Sequence, residues 1–220
     1  GLDDTVQNHI TSAYDVAVMS RELLKHERIR NYTTVWMDTL RGGETQLVNT
    51  NKLIRFYKGA TGLKTGTTSK AGCCVSATAE RDGLSLIAVV MGSESSNDRF
   101  SGARAMLDWG FANYSLAELS VDPALITDVN IIGGERDKIS PQITEKKFAV
   151  IEKGKEDKIT LVPDLAIDVE APIEKNQVLG TVKFMLDDKE IGKINLCSPE
   201  AVKKLTFPDY LVRFLTSLCR

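Results

Sequence analysis

The sequence predicts an α+β chain: an antiparallel sheet with covering helices over residues 1–114, then a small all-β, sandwich-like domain over residues 115–206. Three observations carry this. Three β-rich runs separated by short turns lie between residues 63 and 91. Helix-period apolar stripes lie on either side of them. Near residue 115 the composition changes to short alternating runs, with four of the six prolines (Pro123, Pro141, Pro163, Pro172) between there and residue 175.

The first helix is predicted over residues 12–25. Ser12 and Asp15 have the spacing of a capping box, and Val16, Met19, Leu23 and Leu24 then recur on one face. Thr33 to Met37 is β-branched and aromatic, and Gln46 to Val48 returns as a second strand across the turn residues Arg41-Gly42-Gly43-Glu44. Leu63 to Thr68, Cys73 to Ala79 and Leu84 to Met91 form the meander, its second turn supplied by Asp82-Gly83. Leu86, Ile87, Val89 and Val90 make a nearly continuous apolar run, which predicts a central strand covered on both faces. Phe100, Ala103, Met106, Leu107 and Phe111 trace a covering helix ending near Tyr114, with the domain boundary at residues 114–122. Beyond it, Val129–Ile132, Phe148–Ile151, Ile159–Val162, Ile167–Glu170, Val178–Met185 and Ile191–Leu196 read as strands at sandwich or barrel spacing. Residues 207–220 read as a short amphipathic helix, Leu211, Phe214, Leu215 and Leu218 sharing one face, and from spacing alone it docks on its own domain.

Composition narrows the function. The 220 residues are 42% hydrophobic and 26% charged, enough for a real core. A net charge of -2, with no long run of like charges, argues against a nucleic-acid module. No stretch reaches membrane-span length, and Gly1-Leu2-Asp3-Asp4 has no signal-peptide character. Cys73, Cys74, Cys197 and Cys219 match no metal or redox spacing, so no metal and no cofactor are expected. The cysteines read as small buried hydrophobes. Of the two histidines, His9 and His26, neither lies near a nucleophile elbow, and His9 reads as a locally bonded loop residue. Trp36 and Trp109 read as core.

The informative string is Thr61-Gly62-Leu63-Lys64-Thr65-Gly66-Thr67-Thr68 on the first meander strand. By itself K-T-G is a weak signal, and its bland reading is a solvated lysine on a strand. On a strand of an antiparallel meander with a covering helix behind, it matches the third active-site element of penicillin-binding proteins and class A β-lactamases. Further strings extend the match: G-L-D at 1–3, T-S-A-Y-D-V-A at 11–17, N-T-N-K-L at 49–53, I-A-V-V-M-G at 87–92, and A-P-I-E-K-N-Q-V-L-G-T-V through I-G-K-I-N-L at 171–196.

In these strings the chain resembles the D-alanyl-D-alanine carboxypeptidases, the low-molecular-mass penicillin-binding proteins of peptidoglycan maintenance. The fold implied for residues 1–114 is the C-terminal part of the penicillin-binding serine peptidase domain. The reaction implied is acyl transfer from the terminal D-Ala-D-Ala bond of a peptidoglycan stem peptide, with β-lactams as inhibitors of the complete enzyme. On this resemblance Lys64 is catalytic, supplying positive charge. Thr65, Gly66 and Thr67 bind substrate, the hydroxyls at its carboxylate, and the Thr67 N–H is a candidate oxyanion donor.

One departure is plain: no serine is followed three positions later by lysine, and Ser95-Ser96-Asn97, of S-x-N form, stands after K-T-G rather than before it. It reads as a helix start. The resemblance therefore places the nucleophile upstream of Gly1 and makes this chain alone inactive. The apolar faces of residues 12–25 and 84–91 then call for the missing N-terminal segment or a second copy as cover. A non-catalytic module that binds peptidoglycan or a partner is the alternative reading, and a β-lactamase a third. The family's setting implies a peripheral protein on the outer face of the cytoplasmic membrane. There residues 207–220 become a membrane-associating segment, with Arg213 and Arg220 toward anionic lipid.

Overall fold

The computed structural model describes residues 8–218; the Gly1-Leu2-Asp3 string, Cys219 and Arg220 lie outside them. The chain divides into two units, Gly1–Ser115 and Leu116–Arg220.

In the first unit, α1 (Ala13–Leu23) starts where a capping box forms: Ser12 Oγ accepts from the Asp15 N–H at 3.1 Å and the Asp15 carboxylate accepts from Ser12. Next come α2 (Glu27–Thr33), β1 (Met37–Leu40), β2 (Thr45–Val48) and α3 (Leu53–Phe56). The expected strand at Thr33–Met37 is thus displaced. Thr33 closes α2, its hydroxyl donating to Thr61 O at 2.7 Å, while Arg30 of the same helix pairs with Glu80 at 2.8 Å. Tertiary contacts to the sheet override β-branched propensity here.

The meander is β3 (Ala60–Thr68), β4 (Gly72–Arg81) and β5 (Leu84–Ser93), antiparallel throughout, in the order β3-β4-β5. The 18-residue α4 (Ser96–Asn113) follows, capped by Ser95 Oγ on the Asp98 N–H. Val75, Ser76, Ala77, Thr78 and Ala79 are all buried, and five consecutive buried residues on one strand require cover on both faces. Helix α1 supplies one: Ser20 Oγ lies 2.7 Å from Ser76 Oγ. Helix α4 supplies the other, and it comes so close that a Cβ on Gly110 would stand 2.6 Å from Leu86 Cδ1. Arg81 lies over the rings of Tyr57 and Phe111 at 4.7 and 4.4 Å, and burial, helped by the Asp108 hydrogen bond, pushes the Tyr57 phenol up to about 12.

β4 is therefore the central strand and β5 lies at the sheet edge among the described residues, with α1 and α4 packed against both. The apolar run of β5 matches the two helices that pack on it but not its place at the edge, which strand pairing decides and side-chain character does not. β4 reads less hydrophobic, yet its small residues are what admit a helix on each face. Along β5 runs an apolar groove of about 510 Å³ lined by Leu86, Ala88, Met106, Trp109 and Tyr114. Trp109, expected in the core, is 61% exposed there, and Trp36 is half-buried against Phe56.

The second unit takes over within β6 (Tyr114–Leu119), a strand inside the stretch where the sequence placed the domain boundary. Then follow β7 (Val129–Ile132), β8 (Lys138–Ile139), β9 (Gln142–Ile143), β10 (Lys147–Glu152), β11 (Thr160–Leu165), β12 (Asp168–Glu170), β13 (Val178–Leu186) and β14 (Lys189–Cys197). They form sheets of order β11-β13-β14-β9, β12-β7-β8 and β10-β6, the β12–β7 pair being parallel. Phe184, Ile194, Leu196, Val182 and Ile151 centre one core; Val129, Ile173, Leu179 and Val202 centre another, and Leu165 packs against both.

The last element, α5 (Phe207–Leu218), begins at Thr206, whose N–H and hydroxyl both donate to Asp209 Oδ2 at 2.7 and 2.6 Å. These bonds hold the Asp209 carboxyl below its ordinary range. Arg213 ties the helix to its own unit through Glu135 O at 2.6 Å and Asp137 at 3.2 Å. Phe207, Leu211, Val212 and Leu215 stay exposed. Among the described residues no helix is long and apolar enough to cross a membrane.

Candidate active site

Two segments fix the K-T-G strand before its own chemistry begins. From the loop after β2, Asn51 Nδ2 donates to Gly62 O at 2.7 Å, its Oδ1 accepts from the Leu53 N–H at 3.2 Å, and the residue is 1% exposed. From α2, Thr33 holds Thr61 as described. On its inner side β3 is laddered to β4, with Lys64 opposite Ser76, Thr65 opposite Val75, Gly66 opposite Cys74 and Thr67 opposite Cys73. Its other side is an open edge among the described residues.

Strand alternation divides the four predicted residues. Lys64 shares a face with Ser76; it is exposed, and its Nζ donates to Thr65 O at 2.6 Å. Thr65 and Thr67 take the other face. Thr65 is buried, its hydroxyl 2.6 Å from Thr50 Oγ1, whereas Thr67 is exposed, its hydroxyl donating to Cys73 Sγ at 3.8 Å. Gly66 is exposed, and a Cβ there would meet nothing within 4 Å, so a lane beside the strand stands open. All four border the outer edge of β3, where an extended chain can add to the ladder.

Arg99 was missed by the sequence reading. It sits in the first turns of α4, is 6% exposed, and aims Nη1 at Gly66 O and Thr67 Oγ1, both at 3.0 Å, and at Cys74 O at 3.2 Å; Nη2 donates to Ser96 Oγ. Its guanidinium lies 4.8 Å from the Phe100 ring centroid, and Nε has no partner among the described residues. None of these partners is a carboxylate. A buried cation without a counter-ion is costly unless an anion is supplied. A signal was available: Arg99 stands four residues before Ala103 and eight before Leu107, on the stripe that α4 buries.

Lys64 and Arg99 thus put two positive charges on either side of the Gly66–Thr67 edge, with hydroxyls and backbone groups between them. This arrangement suits an extended peptide with an anionic end. The serine across from Lys64, Ser76, is 7% exposed and bonded to Ser20, so it is not presented to a peptide on this edge. Ser95-Ser96-Asn97 serves as the cap and first turn of α4, and among the described residues no His, Cys, Asp and Glu cluster could hold a metal.

Comparison with known proteins agrees with this geometry. Residues 1–95 match the D-alanyl-D-alanine carboxypeptidase family, and residues 116–204 match the C-terminal domain of penicillin-binding protein 5. D-alanyl-D-alanine carboxypeptidase DacF of Bacillus subtilis (strain 168) is 33% identical over 214 residues, 95% of this chain and 55% of its own length. D-alanyl-D-alanine carboxypeptidase DacA of Haemophilus influenzae is 29% identical over 89% of this chain and 50% of its own. The chain therefore spans about half the length of the curated relatives it matches. Among solved structures, penicillin-binding protein 5 from Haemophilus influenzae superposes with a TM-score of 0.73 at 28% identity, over 93% of this chain and 59% of that one. Penicillin-binding protein 6B from Escherichia coli gives 0.58 at 27%, over 86% and 50%. With the K-T-G strand held in an antiparallel meander behind a covering helix, and a β-rich unit after it, the chain belongs to the D-alanyl-D-alanine carboxypeptidase family.

Proposed function

We propose that this chain is the C-terminal part of a serine-type D-Ala-D-Ala carboxypeptidase, which trims the terminal D-alanine from peptidoglycan stem peptides. The observation that carries the reading is the pair of cations, Lys64 and Arg99, which have no carboxylate partner among the described residues and lie beside the exposed Gly66 and Thr67 on the edge of β3 that is open among those residues. In the reaction, a serine outside this chain attacks the carbonyl of the penultimate D-alanine, the terminal D-alanine leaves, and water hydrolyses the acyl-enzyme. Lys64 supplies positive charge beside the substrate's terminal carboxylate and the developing oxyanion. Thr65 and Thr67 offer hydroxyls to the carboxylate, Gly66 admits the peptide backbone, and the Thr67 N–H donates to the oxyanion. β-Lactams, which carry a carboxylate beside a strained amide, occupy the same edge and acylate the same serine.

We assign residues 1–114 to the peptidase domain, 115–206 to the accessory β domain and 207–220 to a membrane-associating segment. The protein then works outside the cytoplasm, peripheral on the outer face of the cytoplasmic membrane. The test is Lys64→Ala in the full-length protein, read by D-alanine release and by penicillin labelling. A charge-assisted hydrogen bond contributes about 1.5 to 3 kcal/mol, so turnover should fall roughly ten- to over a hundredfold. Unchanged acylation and release would remove Lys64 from the active site and with it this reading.

A further inference from the structure

We propose that Thr50 is a positioning residue for this site: its hydroxyl sets the orientation of the Thr65 hydroxyl and thereby the preference of the β3 edge for a substrate ending in a carboxylate. The inference rests on the carboxypeptidase reading above.

Thr50 belongs to Asn49-Thr50-Asn51, a string that the reaction itself leaves without a task. Both asparagines are clamps. Asn49 donates from its backbone to Trp36 O at 2.8 Å and from Nδ2 to Val35 O and Thr33 O at 2.9 and 3.2 Å, while its Oδ1 accepts from the Asn51 N–H at 2.9 Å. Asn51 is fixed on Gly62 O and the Leu53 N–H. Thr50 is held between them as a bracket. Its side chain is exposed, yet its hydroxyl lies 2.6 Å from Thr65 Oγ1.

Thr65 has no other side-chain partner among the described residues and is 8% exposed. A hydroxyl carries one proton and two lone pairs. When Thr65 donates to Thr50, it has no proton left for an anion. When Thr50 donates to Thr65, the Thr65 proton is free, and the two hydroxyls in series polarise one another toward a negative charge. An arriving carboxylate, an acceptor only, selects the second arrangement. A terminal carboxamide brings donors of its own and selects it far less. Thr50 therefore acts on binding and on discrimination, not on the acyl-transfer chemistry.

The experiment uses the full-length protein with Thr50→Val, Thr50→Ser and Lys64→Ala, each assayed on a D-Ala-D-Ala peptide and on the same peptide ending in a carboxamide. Thr50→Val should lower kcat/KM for the carboxylate peptide about five- to tenfold, through KM, with kcat and carboxamide turnover within about twofold of the parent. Thr50→Ser should restore the parent values. Equal losses on both peptides, failure of serine to rescue, or no effect of valine would each overturn the role given to Thr50. If Lys64→Ala lowers turnover about tenfold or more while Thr50→Val is silent, the Thr50 role alone falls; if both are silent, the site assignment falls and takes this inference with it.

Discussion

Replacing Asn51 by alanine tests how the K-T-G strand is held, and the 220-residue chain itself can be used. Asn51 is 1% exposed, Gly62 and Leu53 are also buried, and its side chain joins them through bonds of 2.7 and 3.2 Å. Each bond contributes about 1 kcal/mol net, but alanine leaves a carbonyl and an N–H buried without partners, at about 1 to 3 kcal/mol apiece. The expected loss is therefore roughly 2 to 6 kcal/mol. Both tryptophans, Trp36 and Trp109, lie in the first unit, so their fluorescence during urea unfolding reports that unit without interference from the second. With a urea slope of about 1 to 3 kcal/mol/M, the midpoint should fall by about 1 M or more at constant slope. Asn51→Asp should do no better, because the carboxylate keeps the acceptor for Leu53 but faces Gly62 O with a second acceptor. A midpoint shift below about 0.5 M for alanine, or rescue by aspartate, would refute the argument that this paired donor and acceptor anchors β3.

Three further outcomes are expected. The 220-residue chain should take up no fluorescent penicillin, because it lacks S-x-x-K; stoichiometric labelling would contradict this. A chain ending at Thr206 should lose co-sedimentation with anionic liposomes relative to the intact chain, since Phe207, Leu211, Val212 and Leu215 form the exposed apolar surface of α5; equal binding would leave α5 a docked helix only. For Asp209, whose carboxyl is lowered by its Thr206 bonds, the capping contribution is present above the ordinary value of 3.8 and lost as pH falls through the lower folded value. Asp209→Asn should accordingly reduce helicity at pH 7 and match the parent once acid has protonated the carboxyl, and a difference that persists in acid would exclude the carboxylate as its source.

What could be read in advance followed from local rules. The capping box of α1, the Asp-Gly turn before β5 and the alternation of β7, β10, β13 and β14 depend on neighbours in sequence, and they formed near their expected positions. What misled depended on neighbours in space. Thr33 ends a helix because Thr61 O awaits its hydroxyl, and β4 is central because two helices need its small side chains. At the candidate site the K-T-G residues could be named from order alone. Arg99 and Thr50 could not, since their relation to Thr67 and Thr65 exists only after α4 and the Asn49–Asn51 bracket have closed on β3.

The exposed edge of β5 has a practical meaning for any stability measured on this chain. Among the described residues no strand pairs with the outer side of β5, so alternate residues along it direct a row of backbone groups outward beside an apolar groove, a shape that accepts another extended chain. Occupancy of that row obeys mass action, so each tenfold rise in an occupant above its dissociation constant adds about 1.4 kcal/mol to the folded state. Where the occupant is a second molecule of the same chain, the unfolding midpoint becomes a function of protein concentration. Variants are then comparable only at matched dilution, and a dilution series on the parent chain reads out how much of its apparent stability is borrowed from its neighbours.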